Sequence, residues 1–509
     1  MVFSKTICES EKSYLRCPVD KPVIIGWREK LVIGDMTSTA ELLRSITKNI
    51  QVNDTKQLNA SVDKALLQIG EGTRLENEII VEVLQYLTSV LDDFDDDRID
   101  FDNVIGLMNK LIDLLPYEIV LELFSVTDLK AALNSQIPPL MRAACKVISL
   151  SSPKGVFANS ELFDLMLRIM FDPDTKLAVV NEIENTLRAL RTDELVRRRI
   201  LQDNMVLLIA AKESSDVVVS ARLLELLSIF SDSLTFGEFN TELFAFSARD
   251  IEESAQGEIF QFINLTNYYI GLLECIRQSW DKSESPTGPF AAIFRELVSY
   301  GEIYSRINEF EDVNLFGRSY VLKLFQALSY LQDQSFFGSL DKKYSIVAAG
   351  NSDLRDLLTL LNPEYLLKDC RGFLENQITI KPTSLPILRN ILKVQDGFAL
   401  VQPMLTSEAI LAMPYLELMA FLDILTLHDY STTFLLESLP KVISSLIEDD
   451  SGRIIEPLTV RTRAQVLERL LELDPGRLTV WHAPLLEAHQ RMTTGKYRSN
   501  TIDIAESYL

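Results

Sequence analysis

Histidine is nearly missing: His428, His482 and His489 are the only three in 509 residues. Much hydrolytic and metal chemistry needs imidazole as a base or a ligand. His482 and His489 stand two helical turns apart, too far to share one ion without further ligands. No HExxH, GxSxG, GxGxxG or GxxxxGK[ST] pattern occurs anywhere. The chain is therefore expected to be no enzyme and to need no metal or cofactor. Glycine is scarce too, 19 of 509 residues where a share of about 7% is usual, which argues against sheet turns and nucleotide-binding loops.

Other shortages narrow the partner. The five cysteines, Cys8, Cys17, Cys145, Cys275 and Cys370, are scattered with no CxxC pair. That scatter excludes a disulfide framework and points to a reducing compartment, cytoplasm or nucleus. Basic charge is short: 50 Lys and Arg against 73 Asp and Glu leave a net charge of −23. Phosphate binding needs cations to displace counterions, so neither direct nucleic-acid contact nor adhesion to an anionic membrane is expected. A basic or mixed-charge protein surface is the expected partner. No apolar run approaches the ~18 residues of a membrane span, since the richest stretch, 409–427, is broken by Pro414, Glu417 and Asp423. The first 30 residues lack the basic start and apolar core of a secretory signal.

What the chain has in abundance is helix. Leu75, Ile79, Ile80, Val83, Leu84, Leu87, Val90 and Leu91 recur on one stripe, with Thr73 and Glu76 spaced as a capping box ahead of it. Prolines such as Pro116, Pro138, Pro363 and Pro440 punctuate the sequence at intervals that suit short antiparallel helix pairs. Asp216 precedes Arg222, and Asp312 precedes Arg318, by the same spacing, and Ile137-Pro138-Pro139-Leu140-Met141-Arg142 opens a third apolar helix in like manner. The arginines Arg142, Arg222, Arg318, Arg389 and Arg463 recur roughly every 70–100 residues, about two periods of the 40–47-residue HEAT or armadillo repeat. The expected fold is an all-α, HEAT/armadillo-like α-solenoid of about ten to eleven helix pairs.

Residues 1–35, with Cys8, Cys17, Pro18, Pro22 and Trp27, lack helical period and read as a disordered or loosely attached extension. Ser38-Thr39-Ala40-Glu41 is a capping box that would open the helical region, and Met36 is a plausible start for it. The solenoid is expected over 36–491, with a flexible tail over 492–509.

Three clusters invite sharper readings. The run Asp92, Asp93, Asp95, Asp96, Asp97, Asp100 and Asp102 fails as a calcium loop, because Arg98 stands where the turn needs glycine and Val104 where a bidentate glutamate belongs. It reads as a solvated loop. Arg197-Arg198-Arg199, with Arg188 and Arg191, cannot share one helical face, and Asp193 and Glu194 are spaced to pair with Arg197 and Arg198. Salt bridging is expected there. Tyr268 and Tyr269 cannot both face inward from a helix with a single apolar stripe, so one is expected to reach the binding surface.

Particular words of the sequence carry a resemblance. They include Ala144-Cys145-Lys146-Val147-Ile148, Ser152-Pro153-Lys154-Gly155-Val156-Phe157-Ala158, Thr192-Asp193-Glu194-Leu195-Val196-Arg197-Arg198-Arg199 and Leu361-Asn362-Pro363-Glu364-Tyr365-Leu366. Met413-Pro414-Tyr415-Leu416-Glu417 and Phe434-Leu435-Leu436-Glu437-Ser438-Leu439-Pro440-Lys441-Val442 continue the series. From about Met36 to about Arg491 the chain resembles the yeast proteasome-assembly chaperone family historically called enhanced spontaneous mutability or DNA mismatch repair proteins. The resemblance implies a C-shaped solenoid that acts as a monomer. Its concave groove would hold the C-terminal domain of an AAA ATPase subunit of the proteasome regulatory particle base, with an associated non-ATPase base subunit alongside. A DNA mismatch repair scaffold acting through protein partners is the competing reading. Position on the inner helices nominates Arg222, Glu225, Tyr268, Arg318 and Lys323 as contact residues.

Overall fold

The structure, a computed structural model, describes residues 29–70, 72–91, 98–279, 290–448 and 456–494. Of the expected extension 1–35 and tail 492–509, residues 1–28 and 495–509 lie outside the described residues, as does the acidic run Asp92 to Asp97, while 29–35 and 492–494 are helical, against expectation. Every regular element among the described residues is a helix. The chain divides into two compact units, Met1–Asn204 and Met205–Leu509.

Each unit is built from two layers. In the first, the helices Thr55–Gln68, Phe101–Ile112, Pro138–Ser149 and Leu177–Leu190 stack in chain order, each against the next. Helices of the other layer, Glu29–Gln51 against Asn77–Leu91 and Val126–Asn134 against Leu162–Phe171, stack alongside. In the second unit the stack runs through Val217–Ser231, Ile259–Ser279, Arg318–Ser329, Leu354–Leu360, Leu385–Ile391, Tyr415–Leu425, Pro457–Leu471 and His482–Thr494. A helix of this kind has one apolar stripe and must bury it on its neighbours. In Asn77–Leu91 the buried residues are Ile80, Val83, Leu84, Leu87, Val90 and Leu91, the stripe read from the sequence apart from Ile79 and Leu75, which are half-buried, Leu75 before the helix starts.

The helix starts follow local chemistry, though not always where a motif search puts them. Asp100, Asp193 and Asp216 cap their helices, each side chain accepting from backbone N–H groups two or three residues on. Ser125 with Asp128 and Ser247 with Asp250 form complete capping boxes. Pro363, Pro440 and Pro457 sit in the first turn, where no N–H is needed. Two expected boxes do not form. The helix Glu29–Gln51 already runs through Ser38. Thr73 spends its hydroxyl on the Gly70 N–H at 3.0 Å, closing the preceding turn, and the next helix starts its ladder on the Glu76 carbonyl.

Helix ends have a different solution. The last carbonyls of a helix lack intrahelical donors, and here a polar side chain from a neighbouring repeat supplies them. The Lys110 ammonium donates to the carbonyls of Leu66 and Ile69, and the Thr186 hydroxyl to that of Cys145, 41 residues back. Asn390, only 2% exposed, donates to Leu358 and Leu361 at 3.0 and 2.7 Å. Tyr430 does the same for Leu392, 38 residues back. Arg463 reaches Leu446 and Glu448, and Arg469 reaches Asp423. For Lys110, Thr186, Tyr430 and Arg469 the separation is close to one repeat, whereas Arg463 reaches only the preceding helix.

Replacing Asn390 by leucine leaves two buried carbonyls without their donor and is expected to cost about 2–3 kcal/mol, whereas Tyr430→Phe, which removes one hydroxyl, costs about 1 kcal/mol. Urea unfolding measures both, and hydrogen exchange should locate the early loss of protection in Asn390→Leu at 354–361.

Candidate functional site

Burial pushes the Cys275 thiol up to about 11 and the Cys370 thiol up to about 12, so neither is a thiolate near neutrality. Burial likewise raises the Cys145 thiol. No group of three or more His, Cys, Asp or Glu among the described residues is placed to hold a metal ion, and no described helix is long and apolar enough to cross a membrane.

The nominated residues fall on one stack of the second unit: Val217–Ser231, Ile259–Ser279 and Arg318–Ser329, each packed on the next. Each is reached through intervening helices of the other layer, so the three run in one direction and share an N-terminal edge. The side facing away from the core carries one ridge per helix. On the first, Val218, Arg222 and Glu225 keep exposed or half-buried side chains at i, i+4 and i+7. On the second, the ridge is Phe260, Asn267, Gly271 and Glu274, with no atom within 4 Å of where a Cβ on Gly271 would lie. On the third it is Ser319 and Lys323, the lysine ammonium lying 5.4 Å from the Tyr320 ring. Arg222 and Glu225 are thus half-buried and Lys323 exposed, on two helices that both pack on Ile259–Ser279.

Tyr268 is buried. Its ring is 3% exposed and its hydroxyl donates to the Phe244 carbonyl at 2.8 Å, while Tyr269 holds both the N–H and the carbonyl of Phe246. The two phenols staple the same segment, 244–246, and their rings pack edge-on against Phe246. The expectation that one ring must emerge fails because a helix in the middle of a stack is covered from several sides. Its buried arc is wider than one stripe, running from Thr266 to Tyr268.

Arg318 is also committed elsewhere. Its guanidinium donates to Asp353 at 2.7 Å, Asn314 at 3.1 Å and Ser352 at 2.5 Å, and Asp353 further accepts from the Tyr304 hydroxyl at 2.7 Å. Arg142 is likewise paired with Asp102, 40 residues away. The repeated Asp-to-Arg spacing thus joins two unrelated devices: an aspartate that caps, as at Asp216, and an arginine that ties one repeat to another. At Asp312 even the cap is absent, because a π-helical turn, Val313–Gly317, intervenes before the helix.

Arg197 and Arg199 are structural, while Arg198 is exposed. Arg197 is buried and donates to the carbonyls of Arg191 and Thr192, and Arg199 donates to Asp164 at 2.5 Å. Asp193 spends its carboxylate on the Leu195 and Val196 N–H groups, as the helix cap.

Sequence reasoning missed an apolar group at the shared edge. Phe260 is 69% exposed, and in the π-turn Leu315 is 66% and Phe316 60% exposed, with Val218 also uncovered. The signal was there in Leu315-Phe316 beside Asp312, but periodicity alone assigns such a pair to the core.

Two family models match the chain, described as DNA mismatch repair protein HSM3, N terminal domain, over residues 40–274, and DNA mismatch repair protein HSM3, C terminal domain, over residues 290–509. The DNA mismatch repair protein HSM3 of Eremothecium gossypii is 34% identical over 452 residues, covering 89% of this chain and 94% of the relative. The protein of the same description from Kluyveromyces lactis is 32% identical, covering 94% and 99%. That from Saccharomyces cerevisiae is 32% identical, covering 82% and 86%.

Arg318→Ala is expected to destabilise the fold by about 3 kcal/mol, because it strips the guanidinium from a buried aspartate. Lys323→Glu, on the exposed ridge, should stay within about 0.5 kcal/mol of the parent chain. Chemical denaturation of the two variants side by side separates a locking arginine from a surface lysine.

Proposed function

The chain belongs to the family described as DNA mismatch repair protein HSM3, and on that footing we propose that it is a chaperone for assembly of the 26S proteasome regulatory particle base. In this reading it binds the C-terminal domain of an AAA ATPase subunit, with an associated non-ATPase base subunit, and is released as the particle matures. The observation that carries it is the solvent-facing surface of three stacked helices, which presents Arg222, Glu225 and Lys323 together with uncovered aromatic side chains. Repeat proteins of stacked helices offer extended surfaces of this sort to protein partners. The resemblance drawn from the sequence words supplies the identity of the partner.

The proposed mechanism is steric. A bound chaperone covers the ATPase domain and keeps it from docking on the proteolytic core, and competition by the completed particle displaces the chaperone. The chain needs no nucleotide for this. It acts as a monomer in the cytoplasm, and in the nucleus where the same particles are built.

The printed name of the family and of its members favours a second reading, a scaffold in DNA mismatch repair. The charge of −23 speaks against direct contact with DNA, so such a role would run through protein partners or through proteasome function.

Affinity purification of the chain from cells should recover base ATPases and non-ATPase base subunits; mismatch-repair proteins without proteasome subunits would favour the second reading instead. Charge reversal in Arg222→Glu with Lys323→Glu is expected to weaken binding of the ATPase domain by about tenfold while leaving the helical circular dichroism unchanged. Normal binding by the folded double variant would remove these residues from the contact surface.

A further inference from the structure

The edge shared by the helices Ile259–Ser279 and Arg318–Ser329 carries an apolar group that the fold does not use. Phe260, Leu315 and Phe316 are each at least 60% exposed, and Leu315 and Phe316 are held outward by the π-helical turn Val313–Gly317. Val313 and Gly317 face inward, and Gly317 lies close against the Phe262 ring, 3.1 Å from where a Cβ on it would be. The turn is thereby anchored to the very helix that carries Phe260. π-Turns inside helical proteins concentrate at functional sites, and contiguous uncovered apolar side chains with a polar surround mark binding surfaces.

The surround has one sign. Glu258 lies two residues before Phe260, and Glu311 and Asp312 lie just before Leu315; all three are exposed. Glu302, Glu309 and Glu252 add to them around Arg306, which bonds Glu309 at 2.6 Å and lies 3.6 Å from Glu302, and Lys343 also faces Glu302. Arg318 offers no compensation, being tied to Asp353. Six carboxylates against Arg306 and Lys343 leave the rim negative.

We infer that this edge is an anchoring site for a protein partner whose surface presents an apolar side chain ringed by lysines or arginines. The apolar pair supplies the desolvated centre, and the carboxylates supply steering and exclude acidic competitors. The inference rests on the proposed chaperone role and deepens it, because it identifies which part of the surface grips the ATPase domain and by what chemistry.

The test uses the full chain, with the isolated C-terminal domain of each base ATPase as probe, in calorimetric titrations across a salt series. Leu315→Ser with Phe316→Ser is expected to weaken the bound domain by about tenfold or more, as truncation of an aromatic anchor does. Glu311→Lys with Asp312→Lys should weaken binding at low salt and flatten its salt dependence. Unchanged circular dichroism and thermal midpoints verify that both variants fold, which their exposure favours. If the parent chain binds a domain and both variants bind it equally well, the anchoring site is wrong and the chaperone reading stands. If the parent chain binds none of the domains, both fall. If light scattering shows a dimer of the chain that Leu315→Ser with Phe316→Ser dissociates, the occupant is a second copy and the inference is overturned.

Discussion

The structure depends on a constraint at its helix ends. Most of the helices are short; Leu354–Leu360 and Leu385–Ile391 have seven residues each. In so short a helix a large share of the carbonyls has no donor within the helix. Burying the apolar stripe in a stack brings those carbonyls out of water, where an unmade hydrogen bond costs about 1–3 kcal/mol. Side chains such as Lys110, Asn390 and Tyr430 meet that demand from a neighbouring repeat, and Arg463 from the helix that follows. Packing and capping are thus the same event, and neither can be completed by one repeat alone.

That coupling explains which parts of the molecule could be read from the sequence. Helical period and proline punctuation are local signals, and the all-α stacked architecture follows from them. The stripe of Asn77–Leu91 came out residue for residue at its core. Capping between repeats is not local. Nothing near Arg318 indicates that its partner is Asp353, and nothing near Arg463 indicates that it will be buried against Leu446 and Glu448. The same limit applies to the surface. Arg222, Glu225 and Lys323, nominated by position on the helices, keep exposed or half-buried side chains, but Tyr268 is buried because the number of neighbours covering a helix is a tertiary fact. Leu315 and Phe316 were missed because a π-turn rotates side chains off the 3.6-residue period on which the reading relied.

The arginines show how one residue type serves two ends. Arg142, Arg197, Arg199, Arg318, Arg463 and Arg469 all hold the chain to itself, through carboxylates or through carbonyls. Guanidinium groups suit this work, since each presents several donors in a rigid fork. Four of these arginines consume a carboxylate each, so such internal pairs leave the net charge of −23 in place for the surface. Acidic character around an apolar centre selects by charge as well as by shape.

Most of the caps also have a direction in time, although Tyr117 and Lys212 close helix ends that follow them. Lys110, Thr186, Asn390, Tyr430, Arg463 and Arg469 each close a helix that precedes them in the chain. On a ribosome adding about 5–20 residues per second, a helix end of this kind stays open for the seconds it takes to make the next repeat. The nascent chain therefore trails one unsealed repeat behind the point of synthesis, and the completed repeats upstream of it are already closed.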